Sequence, residues 1–288
     1  MTSTRRSALM LPTFLIFSSL CTMAQGAYTQ IDYPGSIETF VYGIDSSGDI
    51  AGWYVQTSGS HQGFFLSQGI FTTISYPDAS DTAVLGMNDF GQFVGSTADP
   101  DIGFLYDSQN QTFTTIAYPA AFQTYPTAIN NGGKIVGYFD GTAGNFGFEL
   151  VGSTYRLVVP KGESNSTATG ITSTSHVVGY VVDASLNRNF VVSQEKYQGL
   201  SIPDVPSAAV AGINPAGTAI VGWYQPSSGI YNGYSYQNRV LQTLQFPGST
   251  YTVANGVNDA GEVVGYFEDS NFNYHGFTWT PPVNDTKK

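Results

Sequence analysis

The sequence predicts an all-β fold, a six-bladed β-propeller of four-stranded antiparallel blades, and three observations carry that prediction. Prolines that end a β-like run recur at Pro34, Pro77, Pro119, Pro160, Pro203 and Pro247, with spacings of 41 to 44 residues. Independently, Gly52, Gly95, Gly137, Gly179, Gly222 and Gly265 stand 42 or 43 residues apart. Two unrelated residue types keeping one period over six copies mark a repeat architecture. Each copy also breaks into four short strands, and no stretch from Tyr28 onward has helical periodicity.

The second copy shows the unit most plainly. A β-branched, alternating run from Phe71 to Tyr76 ends at Pro77 and is followed by a polar loop. Next come Thr82 to Met87, a tight Asn88-Asp89-Phe90-Gly91 turn, and Gln92 to Gly95. After another loop, Gly103 to Tyr106 runs into Ser108-Gln109-Asn110, which turns the chain back into Thr112 to Tyr118. Four strands in about 42 residues is the length of a propeller blade. One such sheet leaves both faces uncovered, so only its neighbours can bury them. The polar stretch after each Pro is the expected crossover between blades. The first copy opens with a Pro-ending run at Tyr28, whereas the last stops after Gly276-Phe277-Thr278-Trp279. The Tyr28–Tyr33 strand is therefore expected to complete the blade begun at Thr252 and close the ring, which removes an open sheet edge.

The ends read differently. Arg5 and Arg6, the apolar stretch Leu9 to Met23, and the small-residue exit Ala24 to Ala27 have the three parts of a secretory signal, so residues 1–27 are expected to be removed. The apolar stretch is short for a spanning helix, which needs about 20 residues. The lone Cys21 lies in this segment, so the mature chain has no disulfide and no cysteine-ligated metal. Residues 28–281 form the single propeller domain, and residues 282–288 a polar, flexible tail. The expected location is secreted, extracellular or periplasmic, with no membrane attachment after signal cleavage. Only 11% of residues are charged, at 10 basic to 21 acidic. Without Arg5 and Arg6 the balance becomes 8 to 21, a net charge of −13. That balance argues against nucleic acid and anionic membranes as partners.

Several repeated residues invite a role. The turns Asp45…Gly48, Asn88…Gly91, Asn130…Gly133, Asn214…Gly217 and Asn258…Gly261, with Thr172…Ser175 in the fourth copy, suit side-chain turn capping with a left-handed residue at the end. The alternative is a ring of carboxamide ligands for a metal or sugar. Small residues precede the turn at Gly43, Gly86, Ala128, Gly170, Gly212 and Gly256, as crowding near a central axis requires. The Gly52 series implies close backbone approach or a bulge. Aromatics follow it at Trp53-Tyr54, Tyr138-Phe139, Tyr180, Trp223-Tyr224 and Tyr266-Phe267. They either fill the wedge between blades or, exposed at one height, stack sugar rings as in a lectin. Asp99, Asp140, Asp183 and Asp269 invite calcium, with Asp99-Pro100-Asp101 and the loop Asp269 to Asn273 foremost. Neither supplies a full set of spaced oxygen ligands, so solvated turns are expected. His61, His176 and His275 occupy three different places in the repeat and read as lone surface histidines. No metalloprotease, P-loop or nucleophile-elbow motif occurs. No catalytic, cofactor-binding or metal residue is assigned, and calcium is the one cofactor with any support.

The unit runs Thr, three residues, Gly, an aliphatic residue, the Asn-x-x-Gly turn, an aliphatic residue, Val-Gly and then an aromatic, followed by a Gly-Phe strand. It resembles the HAF-type extracellular repeats of bacterial secreted proteins, over essentially all of Tyr28 to Thr280. His275-Gly276-Phe277 is nearest to the tripeptide behind that name, whereas Gln62-Gly63-Phe64, Ile102-Gly103-Phe104, Phe146-Gly147-Phe148 and Arg188-Asn189-Phe190 lack the His. The resemblance implies export and a propeller-like array, and no reaction. The functional expectation is a non-enzymatic exported binding module whose partner is an extracellular protein or a glycan. A lectin, and a six-bladed hydrolase or lyase with calcium in its channel, are the alternatives.

Overall fold

The computed structural model describes residues 26–282 apart from 164, 184–185, 206 and 227–228, and the side chains of 183 and 186 are likewise outside it. The expected signal segment up to residue 25, with Cys21, and the tail from residue 283 lie outside the described residues. Among them are 24 strands in six four-stranded antiparallel sheets. The chain opens with β1 (Ala27–Ile31). Blade 1 is β2 (Glu38–Ile44), β3 (Ile50–Val55), β4 (His61–Ser67) and β5 (Ile70–Ile74). Blade 2 is β6 (Asp81–Met87), β7 (Gln92–Ala98), β8 (Gly103–Asp107) and β9 (Thr112–Ile116). Blade 3 is β10 (Gln123–Ile129), β11 (Ile135–Gly141), β12 (Gly144–Val151) and β13 (Thr154–Val158). Blade 4 is β14 (Thr167–Ile171), β15 (Val177–Asp183), β16 (Leu186–Ser193) and β17 (Lys196–Leu200). Blade 5 is β18 (Ala209–Ile213), β19 (Ala219–Tyr224), β20 (Asn232–Gln237) and β21 (Val240–Leu244). Blade 6 holds β22 (Tyr251–Val257), β23 (Val263–Glu268) and β24 (Tyr274–Thr280), with β1 as its outermost strand. Tyr28 pairs with Trp279 and Ile31 with Gly276, so the first strand closes the ring as the repeat phase requires.

The repeat chemistry is visible in the packing. Phe64, Phe104, Phe148, Tyr234 and Phe277, one from the third strand of each of five blades, are fully buried. The glycine before each gives the next blade's inner strand room to approach; a Cβ on Gly63, for instance, would crowd Val84. Blade 4 has Asn189 instead, whose amide reaches that strand through Asn189 Nδ2 to Ala208 O (2.7 Å) and Val210 N to Asn189 Oδ1 (3.0 Å). The crossovers are latched by a hydroxyl: Thr39, Thr82, Thr124 and Thr252 accept from the backbone N–H of Tyr33, Tyr76, Tyr118 and Phe246 at 2.9–3.1 Å. That Thr is the first residue of the repeat consensus. Antiparallel alternation puts the first-to-second and third-to-fourth turns at one end of the ring, the turn face. The second-to-third loops and the crossovers lie at the other, the crossover face. No helix among the described residues is long and apolar enough to cross a membrane.

Candidate ligand-binding face

The Asn-x-x-Gly turns cap themselves and also tie the blades together. In blade 2, Asn88 Oδ1 accepts from Phe90 N and Gln92 N (both 3.1 Å), and Gly91 takes the left-handed conformation at φ 69°. The remaining donor, Asn88 Nδ2, reaches Asn130 O of blade 3 at 3.1 Å. Asn130 Nδ2 then donates to Thr172 O of blade 4 at 3.0 Å, and Ser173 N to Pro215 O of blade 5 at 2.9 Å. Asn214 Nδ2 donates to Asp259 Oδ1 of blade 6 at 2.7 Å, and Asn258 Nδ2 to Asp45 O of blade 1 at 3.2 Å. Ser46 N to Asp89 Oδ1 at 2.8 Å completes the circuit into blade 2. The carboxamides of Asn88, Asn130, Asn214 and Asn258 thus make four of these six links between blades, and the backbone N–H groups of Ser173 and Ser46 make the other two.

Two carboxylates in this circuit behave oppositely. Burial, with Asp49 and Asp89 close by, holds the Asp45 carboxyl above its ordinary value despite backbone N–H bonds from Asp49 and Ser47. Desolvation also pushes Asp89 upward, but hydrogen bonds from Asn131 and Ser46 outweigh it and bring the group below its ordinary value.

Below the turns, each innermost strand carries one bulged residue: Tyr42, Leu85, Thr127, Thr169, Ala211 and Asn255. They line a central cavity of about 390 Å³. Three of them stitch neighbouring blades, through Thr127 Oγ1 to Ala168 O (2.8 Å), Thr169 Oγ1 to Val210 O (2.9 Å) and Asn255 Nδ2 to Val41 O (2.9 Å). Among the described residues, the only carboxylates lining the cavity are Asp45 and Asp89, at its turn-face mouth. Burial pushes the Tyr42 phenol up to about 12, so it stays a neutral donor.

The bulges also explain the Gly52 series. At each of the six glycines an added Cβ would collide with a carbonyl oxygen of the adjacent innermost strand, which the bulge tips over the glycine Cα.

The aromatics after these glycines divide by strand alternation. In three pairs the second residue packs inward: Tyr54, Phe139 and Phe267 are buried and lie parallel to Tyr33, Tyr118 and Phe246 at 3.6, 3.7 and 3.7 Å between ring centres, whereas Tyr224 stays half-buried. The first of each pair, Trp53, Tyr138, Tyr180, Trp223 and Tyr266, is only half-buried, and blade 2 has Ser96 there. The packing expectation therefore holds for Tyr54, Phe139 and Phe267, and the first residues are left half-buried rather than exposed.

On the crossover face half-buried rings, joined through the buried Phe40, form an arc over blades 1, 6 and 5. His61 lies 4.9 Å from Trp53, Trp53 stacks on Phe40 at 4.0 Å, and Phe40 meets Tyr266 at 5.0 Å and Tyr274 at 5.2 Å. Tyr266 continues to Tyr251 (6.1 Å), Tyr251 to Tyr231 (5.0 Å) and Tyr231 to Trp223 (5.3 Å). Half-buried carboxylates accompany the arc. Glu268 accepts from Thr250 Oγ1 at 2.6 Å and lies against the Tyr274 phenol; Glu38 approaches the same phenol. Asp81 Oδ1 accepts from His61 N at 2.6 Å. Burial first, then these carboxylates, hold the Tyr274 phenol above its ordinary value.

The remaining expected residues fall elsewhere. Asp269 caps its own loop, accepting from Asn271 N (2.7 Å) and Asn273 N (2.9 Å), as a solvated turn does. Asp140 and Asp101 approach Tyr125, which stacks on Tyr138 at 4.6 Å. The side chain of Asp183 lies outside the described residues. Among those described, no three His, Cys, Asp or Glu side chains are grouped to hold a metal ion. His176 is exposed in the blade 4 turn. His275 is no lone surface histidine: its Nδ1 is 2.7 Å from Asp32 Oδ1 and its Nε2 3.5 Å from Asp269 Oδ2, at the seam where β1 meets β24. Phe40, Tyr231, Tyr251 and Tyr274 escaped the sequence reading. Their signal was a local excess of aromatics in copies that are first, fifth and sixth in the chain and become neighbours only when the ring closes.

A closed six-bladed propeller with one aromatic, acidic face is the class that fold and site define. No family model matches the chain, and no curated protein does. Among solved structures it is similar to a streptogramin B lyase, at 13% identity and TM-score 0.54 over 89% of this chain and 98% of that one. It is also similar to the Aleuria aurantia lectin, at 11% and 0.57 over 86% and 98%. TolB from Acinetobacter baumannii matches at 9% and 0.55 over 82% of this chain and 64% of that one. At such identities the likeness shows the fold.

Proposed function

We propose that this protein is an exported, non-enzymatic propeller of the HAF-type repeat kind that binds carbohydrate on its crossover face. The observation that carries the reading is the arc from Trp53 to Trp223, a run of rings shared by three blades and half-buried on either side of the buried Phe40. Packing alone leaves no reason for these rings to reach the surface together, whereas the apolar C–H faces of sugar rings stack on such surfaces while tyrosine hydroxyls supply hydrogen bonds. The Aleuria aurantia lectin, whose solved structure holds Fucα1-6GlcNAc, gives the fold a precedent for this use. A channel enzyme with bound calcium fits less well, because the wall at the bulge level is Tyr42, Leu85, Thr127, Thr169, Ala211 and Asn255, without a carboxylate.

The test uses the protein's own reporters. Of its three tryptophans, Trp53 and Trp223 lie at opposite ends of the arc, and Trp279 is buried in the core. Glycans retained on an array should shift the tryptophan emission on titration. The shift should shrink in Trp53→Phe and Trp223→Phe variants of unchanged melting temperature. An array with no glycan held above background would refute the proposal.

A further inference from the structure

The charges around the arc narrow its ligand further, on the strength of the reading just given. Glu38, Glu268 and Asp81 stand half-buried against its rings. Residues 26–74 and 209–282 build blades 1, 5 and 6 and contain a single Lys or Arg, Arg239. Arg239 lies in the β20–β21 turn, on the opposite face of the ring. The arc is therefore an aromatic surface in a negative field with no lysine or arginine of its own blades on that face to offset it. A uronic-acid polymer is repelled from such a surface, and a neutral sugar gains nothing from the carboxylates beyond hydrogen bonds. An ammonium group gains twice, from the carboxylates and from the ring faces, whose quadrupoles attract cations.

The arc also sets the ligand's length and shape. Six successive ring-to-ring steps of 4.0–6.1 Å, from His61 through Trp53, Phe40, Tyr266, Tyr251 and Tyr231 to Trp223, exceed what one sugar ring covers. A basic peptide brings charge but few flat faces, whereas an oligosaccharide presents a ring at each step. We propose that the crossover face binds an oligomer of amino sugars with free, protonated amines.

Titrations would compare four hexamers: of glucosamine, of N-acetylglucosamine, of glucose and of galacturonic acid, with oligolysine as the peptide control. The glucosamine hexamer should bind about tenfold tighter than the N-acetylated one in low salt, a gap of about 1.4 kcal/mol. Between about 50 and about 300 mM NaCl that preference should fall severalfold, as screening of partly exposed charges requires. A Glu38→Gln/Glu268→Gln variant of unchanged melting temperature should lose the preference while still binding the neutral hexamer. If that variant melts early, the salt dependence of the unmodified protein decides the matter. Equal or tighter binding of the acetylated, glucose or galacturonate hexamer overturns the amine requirement and leaves carbohydrate binding standing. Oligolysine binding as tightly as the glucosamine hexamer overturns the sugar. Failure of every oligomer to bind overturns this inference, and the glycan array decides the proposed function separately.

Discussion

An alanine at position 137 would set its methyl carbon against the Tyr125 carbonyl and the Pro126 Cα. The added carbon falls about 1 Å inside the 3.0 Å separation that Cβ contacts essentially never breach, in an interior packed too densely to yield freely. Its neighbours are backbone atoms, so no rotamer change relieves the overlap. Strands β10 and β11 must part by about the same distance, and the ladder bonds beside the bulge at Thr127 stretch beyond hydrogen-bond range. One buried bond left unmet costs about 1–3 kcal/mol. Overpacking adds about 1–3 kcal/mol, so the variant should lose about 3–5 kcal/mol. In a domain of this size each kcal/mol moves the melting temperature by about 2–4 °C, so a fall of about 10 °C is expected. The assay is thermal unfolding by circular dichroism, with urea titration to check that the transition remains cooperative. The control is Gly199→Ala in β17, where an added Cβ meets nothing within 4 Å. That change should stay within about 0.5 kcal/mol. If Gly137→Ala melts with the unmodified protein, the close approach at the bulge does not govern the blade.

Two further outcomes follow from the same geometry. Deleting residues 27–34 strips β1 from β24 and removes Tyr28 from its edge contact with Phe246 at 5.4 Å, exposing a sheet edge. Its melting temperature should fall by about 10 °C or more, and an unchanged value would refute ring closure by the first strand. Asp45→Asn should stabilise the protein near neutral pH. The folded state raises this carboxyl, so the native chain loses stability as pH rises above the ordinary value of 3.8, and the amide does not ionise. The gain should therefore shrink in acid; a gain that grows on acidification would sink the assignment.

The fold was legible because two residue types kept one period, and because the phase of that period placed the first strand beside the last. Turn capping at Asn88 and its counterparts was legible from local chemistry alone. The second use of the same side chain was not, since its partner is the carbonyl of Asn130 in the next copy. A single repeat read by itself contains only half of that interaction. Thr39, Thr82, Thr124 and Thr252 were visible as a consensus residue, yet their task is to accept from a backbone N–H six residues earlier, which composition cannot show. The division of labour within Trp53-Tyr54 and Tyr266-Phe267 needed the strand register, because a step of one residue moves a side chain to the other face of the sheet.

Repetition itself offers a way to separate scaffold from site. A residue that sets the backbone geometry inside a blade has the same neighbours in every copy, so the same residue type serves all six. The Gly52 series obeys this without exception, and the one lapse in the Gly63 series, Asn189, is compensated by its two bonds to blade 5. A ligand smaller than the ring touches only some blades, so the residues that meet it need not agree between copies. The position of Trp53 holds Ser96 in blade 2, and the position of Phe40 holds Ala83 there and Ala209 in blade 5. Stacked ring pairs fill both positions in blade 1 (Phe40, Trp53) and in blade 3 (Tyr125, Tyr138), and a chain of ring contacts runs over blades 1, 6 and 5 beside Glu38 and Glu268, on the face that the Asn-mediated circuit leaves alone. Uniform positions therefore account for the ring, and the uneven ones for the differences between its blades.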